Sequence, residues 1–263
     1  MASEEGSQRA FLGVSALLFA VSAVVTIVWC ASMSAMSEMP MPGGWTMSMA
    51  WMRMPGQTWT GAAAWFLGMW VVMMVAMMLP SLVPMLMRYR RAVGRTGKSR
   101  LGWLTALVGV GYFFVWSVFG MAAFALGTTL AAVEMEVAAV ARAVPIMIGL
   151  VVMITGALQF TAWKAHHLAC CREALAPCCT LPADAGTAWR HGLRLGLHCS
   201  YCCAGLTVIL LVIGVMDLRV MAVMTLAITV ERLAPAGERV ARAIGAVVVV
   251  AGLFLIARAV GIG

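Results

Sequence analysis

Residues 195–206 read LGLHCSYCCAGL, placing one imidazole and three thiols inside a stretch that otherwise reads as lipid-compatible helix. On a helix His198 and Cys202 share a face at i, i+4, while Cys199 meets Cys203 at i, i+4 and Cys202 at i, i+3. The segment TGALQFTAWKAHHLACC repeats the device, with His166 and Cys170, and His167 and Cys171, each four apart. The loop that follows, REALAPCCTLPADAGTAWRHG, adds Cys178 and Cys179. Seven of the eight cysteines and all four histidines thus fall between 166 and 203. Free cysteine also packs as a small hydrophobe, but so many thiols, three pairs of them vicinal, beside imidazoles point to soft-metal binding. Two such arrays at one membrane depth could face each other.

Thioethers form the second set of candidate ligands. In GMWVVMMVAMMLPSLVPM, Met69, Met73 and Met77 recur at i, i+4, and Met74 with Met78 repeats that spacing one residue along. A methionine stripe at helical spacing is commonly core packing; here a methionine cluster precedes it and a thiol cluster follows. It resembles the MxxxM track of the eukaryotic high-affinity copper transporter family. Pro80 and Pro84 should kink or unwind the inner half of this helix. Upstream, residues 33–54 hold eight methionines: Met33, Met36, Met39, Met41, Met47, Met49, Met52 and Met54. The segment is broken by Pro and Gly and cannot be helical throughout. Thioethers select Cu(I) and, unlike thiols, are not lost to disulfides on an oxidising face.

These residues need elements to hold them, and composition says what kind. With 63% hydrophobic and 11% charged residues and a mean hydropathy of +0.97, the chain has too little polar surface for a soluble globule of its length. We expect an all-α, polytopic transmembrane bundle of six or seven helices over residues 1–263 as one membrane domain. Apolar runs fall near 10–31, 61–87, 101–131, 144–163, 195–215, 216–233 and 243–262. The sixth is the weakest, so six spans with a re-entrant element is the variant. The first run follows two acids and one Arg, and reads as a retained anchor and not a cleaved leader. With the amino terminus in the cytoplasm, 14 of the 18 Lys and Arg lie inside, Lys164 and Arg232 among them. Residues 32–60 then form a Met-rich outer loop and 164–194 a cytoplasmic Cys/His-rich loop. The net charge of +8 records this topology, and no nucleic-acid partner is expected. Asp217, Arg219, Glu231 and Arg232 sit near helix ends, where charges read as solvated anchors. Glu231 could also orient an imidazole.

Taken together, MWVVMMVAMMLPSLVPM, GALQFTAWKAHHLACCR and GLRLGLHCSYCCAGLTVILLVIGVMDLRVMAVMTLAITVERLAP resemble a bacterial family of unknown function described as predicted metal-binding integral membrane proteins, over roughly residues 60–235. The resemblance implies membrane location and metal binding. The residues themselves order the ligands along the membrane normal, thioethers outside, thioethers in the middle, thiols and imidazoles inside. That order suits Cu(I), or another soft metal, passed inward across the bacterial inner membrane from weaker to stronger ligands. The partners expected are the metal ion, the lipid bilayer and a metal chaperone or membrane metalloenzyme. No catalytic constellation is evident. The competing readings are Hg(II) handling, for which vicinal thiols resemble those of mercuric transport proteins, a thiol oxidoreductase using Cys199 and Cys202, haem ligation by His198 with His166 or His167, and an accessory subunit of a membrane metalloenzyme.

Overall fold

The computed structural model describes residues 2–34, 39–53, 56–93, 100–173 and 182–261. Among them it is an all-α bundle. The helices are α1 (Ala2–Ser34), α2 (Trp59–Val93), α3 (Leu101–Glu136), α4 (Ala138–Leu158), α5 (Ala162–Glu173), α6 (Ala185–Gly214), α7 (Leu218–Leu233) and α8 (Gly237–Ala259). Six of them, all but α5 and α7, are long and apolar enough to cross a membrane. The sixth apolar run becomes α7, which at 16 residues is about 24 Å long, short of the ~30 Å hydrocarbon core.

The Met-rich segment folds as a short antiparallel hairpin, β1 (Met39–Met41) with β2 (Trp45–Met47), paired so that Met39 opposes Met47. A 3-10 turn, Met49–Trp51, follows. Met41 and Met47 are buried against Ala131 and Ala141, and Trp45 Nε1 donates to the Ala141 carbonyl. These two thioethers pack the hairpin onto α3 and α4. Met36 and Met54 lie outside the described residues, as do Arg95 and Lys98 of the basic run, Cys178 and Cys179.

Helix four departs from the sequence reading. It stops at Leu158, and residues 159–161 make a tight turn in which the N–H groups of Gln159, Phe160 and Thr161 donate to the carbonyls three residues back. The Thr161 hydroxyl then accepts from the Lys164 N–H, the position-three capping bond that starts a new helix. The His–Cys segment is therefore a separate short helix, free to lean on α6. α2 stays helical through Pro80 and Pro84, so of the kink or unwinding expected there the unwinding does not occur. α6 begins at Ala185, ten residues before its apolar run, with the Asp184 side chain accepting from the Thr187 N–H. This early start puts the thiols in the middle of the helix.

Glycine sets the helix spacing. A Cβ on Gly196 of α6 would sit 2.9 Å from the Tyr112 carbonyl oxygen of α3, and one on Gly192 would collide with the Val108 carbonyl. α4 and α8 approach in the same way, Gly149 and Gly156 facing Gly252 and Gly245. Small residues that let backbones close are the usual means of helix association in lipid. Gly192→Ala is expected to cost about 1–3 kcal/mol by overpacking. Thermal unfolding in detergent would show this as a lowered midpoint; an unchanged midpoint would mean the α3–α6 contact yields without cost.

Candidate functional site: a buried thiol cluster

α2 is the most enclosed of the long helices, and its buried face is a ladder. Met69, Met73, Met77, Ser81 and Met85 follow at four-residue steps, each buried, with Met74 and Met78 buried beside them. From Met69 to Met85 the ladder runs about 24 Å along the axis. At its far end Arg232 of α7 reaches in: Nη1 donates to Ser81 Oγ at 2.8 Å and Nη2 to Met85 Sδ at 3.0 Å. The same Nη1 lies 3.1 Å from Cys199 Sγ. One guanidinium thus joins the thioether ladder to the thiols of α6.

Around it stand four buried thiols, Cys171 on α5 and Cys199, Cys202 and Cys203 on α6. Cys199 and Cys203 are 3.8 Å apart, sulfur to sulfur, as the i, i+4 spacing predicts. Tyr112 Oη and Cys199 Sγ are hydrogen-bonded at 2.9 Å, a contact made possible by the glycine-set approach of α3. Cys171 hydrogen-bonds the side chain of Cys202, and this bond first, with burial second, pushes the Cys171 thiol above its ordinary range. These four are thiols and not disulfides. Cys199 has its sulfur partner in Cys203, and Cys203 in turn hydrogen-bonds Cys202, whose other sulfur partner is Cys171.

The charges at this level are not solvated anchors. Arg232 is 2% and Glu231 0% exposed, and Lys164, which the topology count places with the cytoplasmic cations, is buried too. Lys164 Nζ donates to Glu231 Oε2 and to the Cys202 carbonyl, both at 2.7 Å. The reason is chain geometry: α7 packs against α5 and α6, Glu231 and Arg232 of its last turn are buried, and Lys164 meets Glu231 from α5. Glu231 therefore holds a lysine and not an imidazole. Asp217 and Arg219, by contrast, remain exposed, with Asp217 capping α7. Lys164 and Glu231 neutralise each other, which leaves Arg232 without a carboxylate and with soft or neutral partners. Glu231 Oε1 and Arg232 Nε are sealed from solvent with no partner among the described residues. The cluster therefore has unused polar capacity.

Breaking one side of the buried Lys164–Glu231 pair strands a charge. Lys164→Met is expected to cost about 3–5 kcal/mol, whereas the double change Lys164→Met with Glu231→Leu should recover most of that loss. Unfolding midpoints of the two variants decide it, and equal midpoints would show that the pair does not act as a unit.

The imidazoles lie on a more open side of the same α5–α6 seam. His166 is exposed, His167, Cys170 and His198 are half-buried, and Cys170 Sγ is 3.7 Å from His166 Nε2. Burial first and the neighbouring His166 second hold the His167 imidazole below its usual range, in the neutral form that ligates metals. His191 is away from this group, stacked on Tyr89 at 5.3 Å.

Among the described residues no group of three or more His, Cys, Asp and Glu is arranged to hold an ion. The donors are linked in short sets: the four thiols run in one hydrogen-bonded chain, Cys171 to Cys202 to Cys203 to Cys199, while His166 lies against Cys170 and His167 beside His198.

The chemical signal for Lys164 and Arg232 was present in the sequence as cations beside apolar runs. Cations in that position ordinarily face water at the membrane surface, and residue type alone does not mark the ones that turn inward. Ser81 and Met85 continue the four-residue register of the methionine stripe, whereas Tyr112 carries no motif signal.

No curated protein and no solved structure shows significant similarity to the chain. A family model does match: it covers residues 67–255, which take in the thioether ladder and every residue of the thiol cluster. The chain belongs to that family, PpoB2, described as a copper chaperone.

Proposed function

We propose that the protein is a multi-pass Cu(I) chaperone of the bacterial inner membrane, amino terminus cytoplasmic, which takes the ion at its outer face and holds it at Cys199 and Cys203. Family membership carries copper handling in general. The observation that supports this thiol pair is its setting: two sulfurs 3.8 Å apart, wholly buried, with the Arg232 guanidinium at 3.1 Å. Two thiolates and one Cu(I) sum to a single negative charge, which the guanidinium offsets. A divalent ion such as Hg(II) on the same pair forms a neutral complex and leaves a buried cation without an anion, at high cost. Cys171 and Cys202 form the neighbouring pair to which the ion can move. Cys178 and Cys179 belong to the same cytoplasmic face by sequence.

Met69, Met73, Met74, Met77 and Met78 supply the route inward. Thioethers bind Cu(I) more weakly than thiolates, so affinity rises along the ladder toward the thiols and the ion is drawn down it. Changing Met73 and Met77 to Leu keeps the volume and should cost less than about 1.5 kcal/mol of stability. Copper accumulation by cells expressing the variant is expected to fall several-fold, with the thermal midpoint nearly unchanged. Undiminished accumulation would remove the ladder from the route.

A further inference from the structure

The α5–α6 seam has two sides, and the thiols occupy only the enclosed one. On the open side His167 and His198 face each other across the two helices with ring centroids 6.4 Å apart. We propose that this imidazole pair is a second, separate Cu(I) site, a port through which the ion passes between the buried thiols and an acceptor in water. The proposal rests on the thiols being the copper store.

Distance supports a shared ion. A ring centre lies about 3.2 Å from a metal bound at about 2.0–2.1 Å to its nitrogen, so two imidazoles in a linear bridge have centres about 6.4 Å apart. A second observation is independent of that. The Nδ1 atoms of His167 and His198 are both sealed from solvent and have no hydrogen-bond partner among the described residues. A polar atom left so costs about 1–3 kcal/mol, and a bound ion or water on the ring relieves it. The surroundings form a half-closed opening: Trp163 lies edge-on to His167 at 4.6 Å and Tyr201 is 5.2 Å away, both rings about half exposed.

The pair also stands in the right order. Outward from it are the exposed His166, 5.4 Å from His167, and Cys170. Inward, Cys202 shares a helix face with His198 four residues on, and Cys202 is hydrogen-bonded to Cys171. An ion leaving the thiols through this seam meets His198 next, and neutral imidazole, a weaker host for Cu(I) than thiolate, suits a station that must release it.

A port alters rates and leaves the store's equilibrium alone. Full-length protein in detergent, loaded anaerobically with Cu(I), is mixed with excess water-soluble Cu(I) chelator and release is followed by stopped flow. The H167Q/H198Q double variant is expected to release copper about tenfold more slowly than the unaltered chain, with the copper affinity of the thiol site unchanged in competition titration. Equal release rates would overturn the port. A matching loss of affinity would also overturn it, because the imidazoles would then be ligands of the thiol site. Failure of the unaltered protein to retain Cu(I) would remove the store, and the port with it, a result visible before any histidine is changed.

Discussion

Protein with Cys199 and Cys203 both changed to Ser is expected to lose the tightly held ion that the unaltered chain, purified anaerobically and loaded with Cu(I), keeps at its buried pair against a chelator wash. Hydroxyls replace thiolates at nearly the same volume, so the change removes soft donors without opening a cavity. The fold should tolerate it: Ser at 203 can donate to a backbone carbonyl one turn earlier, as Thr207 does to the Cys203 carbonyl, and Ser at 199 keeps the partner Tyr112 Oη. Elemental analysis beside a thermal melt separates loss of ligands from loss of fold. Copper held as tightly by a folded double variant would show that the Cys171–Cys202 pair or the imidazoles form the store. Absence of copper from both proteins, even after loading, would leave the thiols to other chemistry.

Arg232→Leu is expected to separate stability from function. A guanidinium buried to 2% exposure, with two sulfurs and a serine hydroxyl as its partners, carries a desolvation cost that those contacts repay in part at most. Replacing such a buried charge by an apolar residue of similar reach is often neutral or stabilising by about 1–4 kcal/mol. The unfolding midpoint should hold or rise. Copper affinity should move the other way, falling about 10–100-fold, the usual penalty for removing a group that supports a metal site from its second layer. Arg232→Lys tests geometry: it keeps the charge, but an ammonium has no planar fork to span Ser81, Met85 and Cys199. It should recover the copper affinity in part. A lowered midpoint with unchanged affinity in the Leu variant would assign Arg232 to architecture alone.

Much of this organisation was legible before any coordinates. Apolar run length located the six long helices, because a segment facing lipid must satisfy its backbone internally and so must be helical over about 20 residues. Four-residue spacing announced the methionine stripe and the Cys199–Cys203 contact, since i, i+4 residues overlie each other on any helix. The break after Leu158 was not legible, because nothing in GALQFTAW departs from helical composition. Only the hydrogen bonding of residues 159–161 and the Thr161 cap reveal it. Lys164 and Arg232 were misjudged for a related reason. A cation beside an apolar run is usually at the interface, and whether it turns to water or to the core depends on what the neighbouring helix offers.

The local facts of this protein, then, are written in one dimension: helix, span, the face each thioether and thiol occupies, and the softness of its ligands follow from residue type and spacing. Partnership is not. That Arg232 bridges the methionine ladder to Cys199, that Lys164 finds Glu231 67 residues away, and that the thiols are divided from the imidazoles by one seam are all contacts between distant segments. Periodicity along a chain carries no information about which faces will meet. Those meetings are set by how closely helices can approach, and here the glycines at 192 and 196 bring α3 near enough for Tyr112 to reach Cys199.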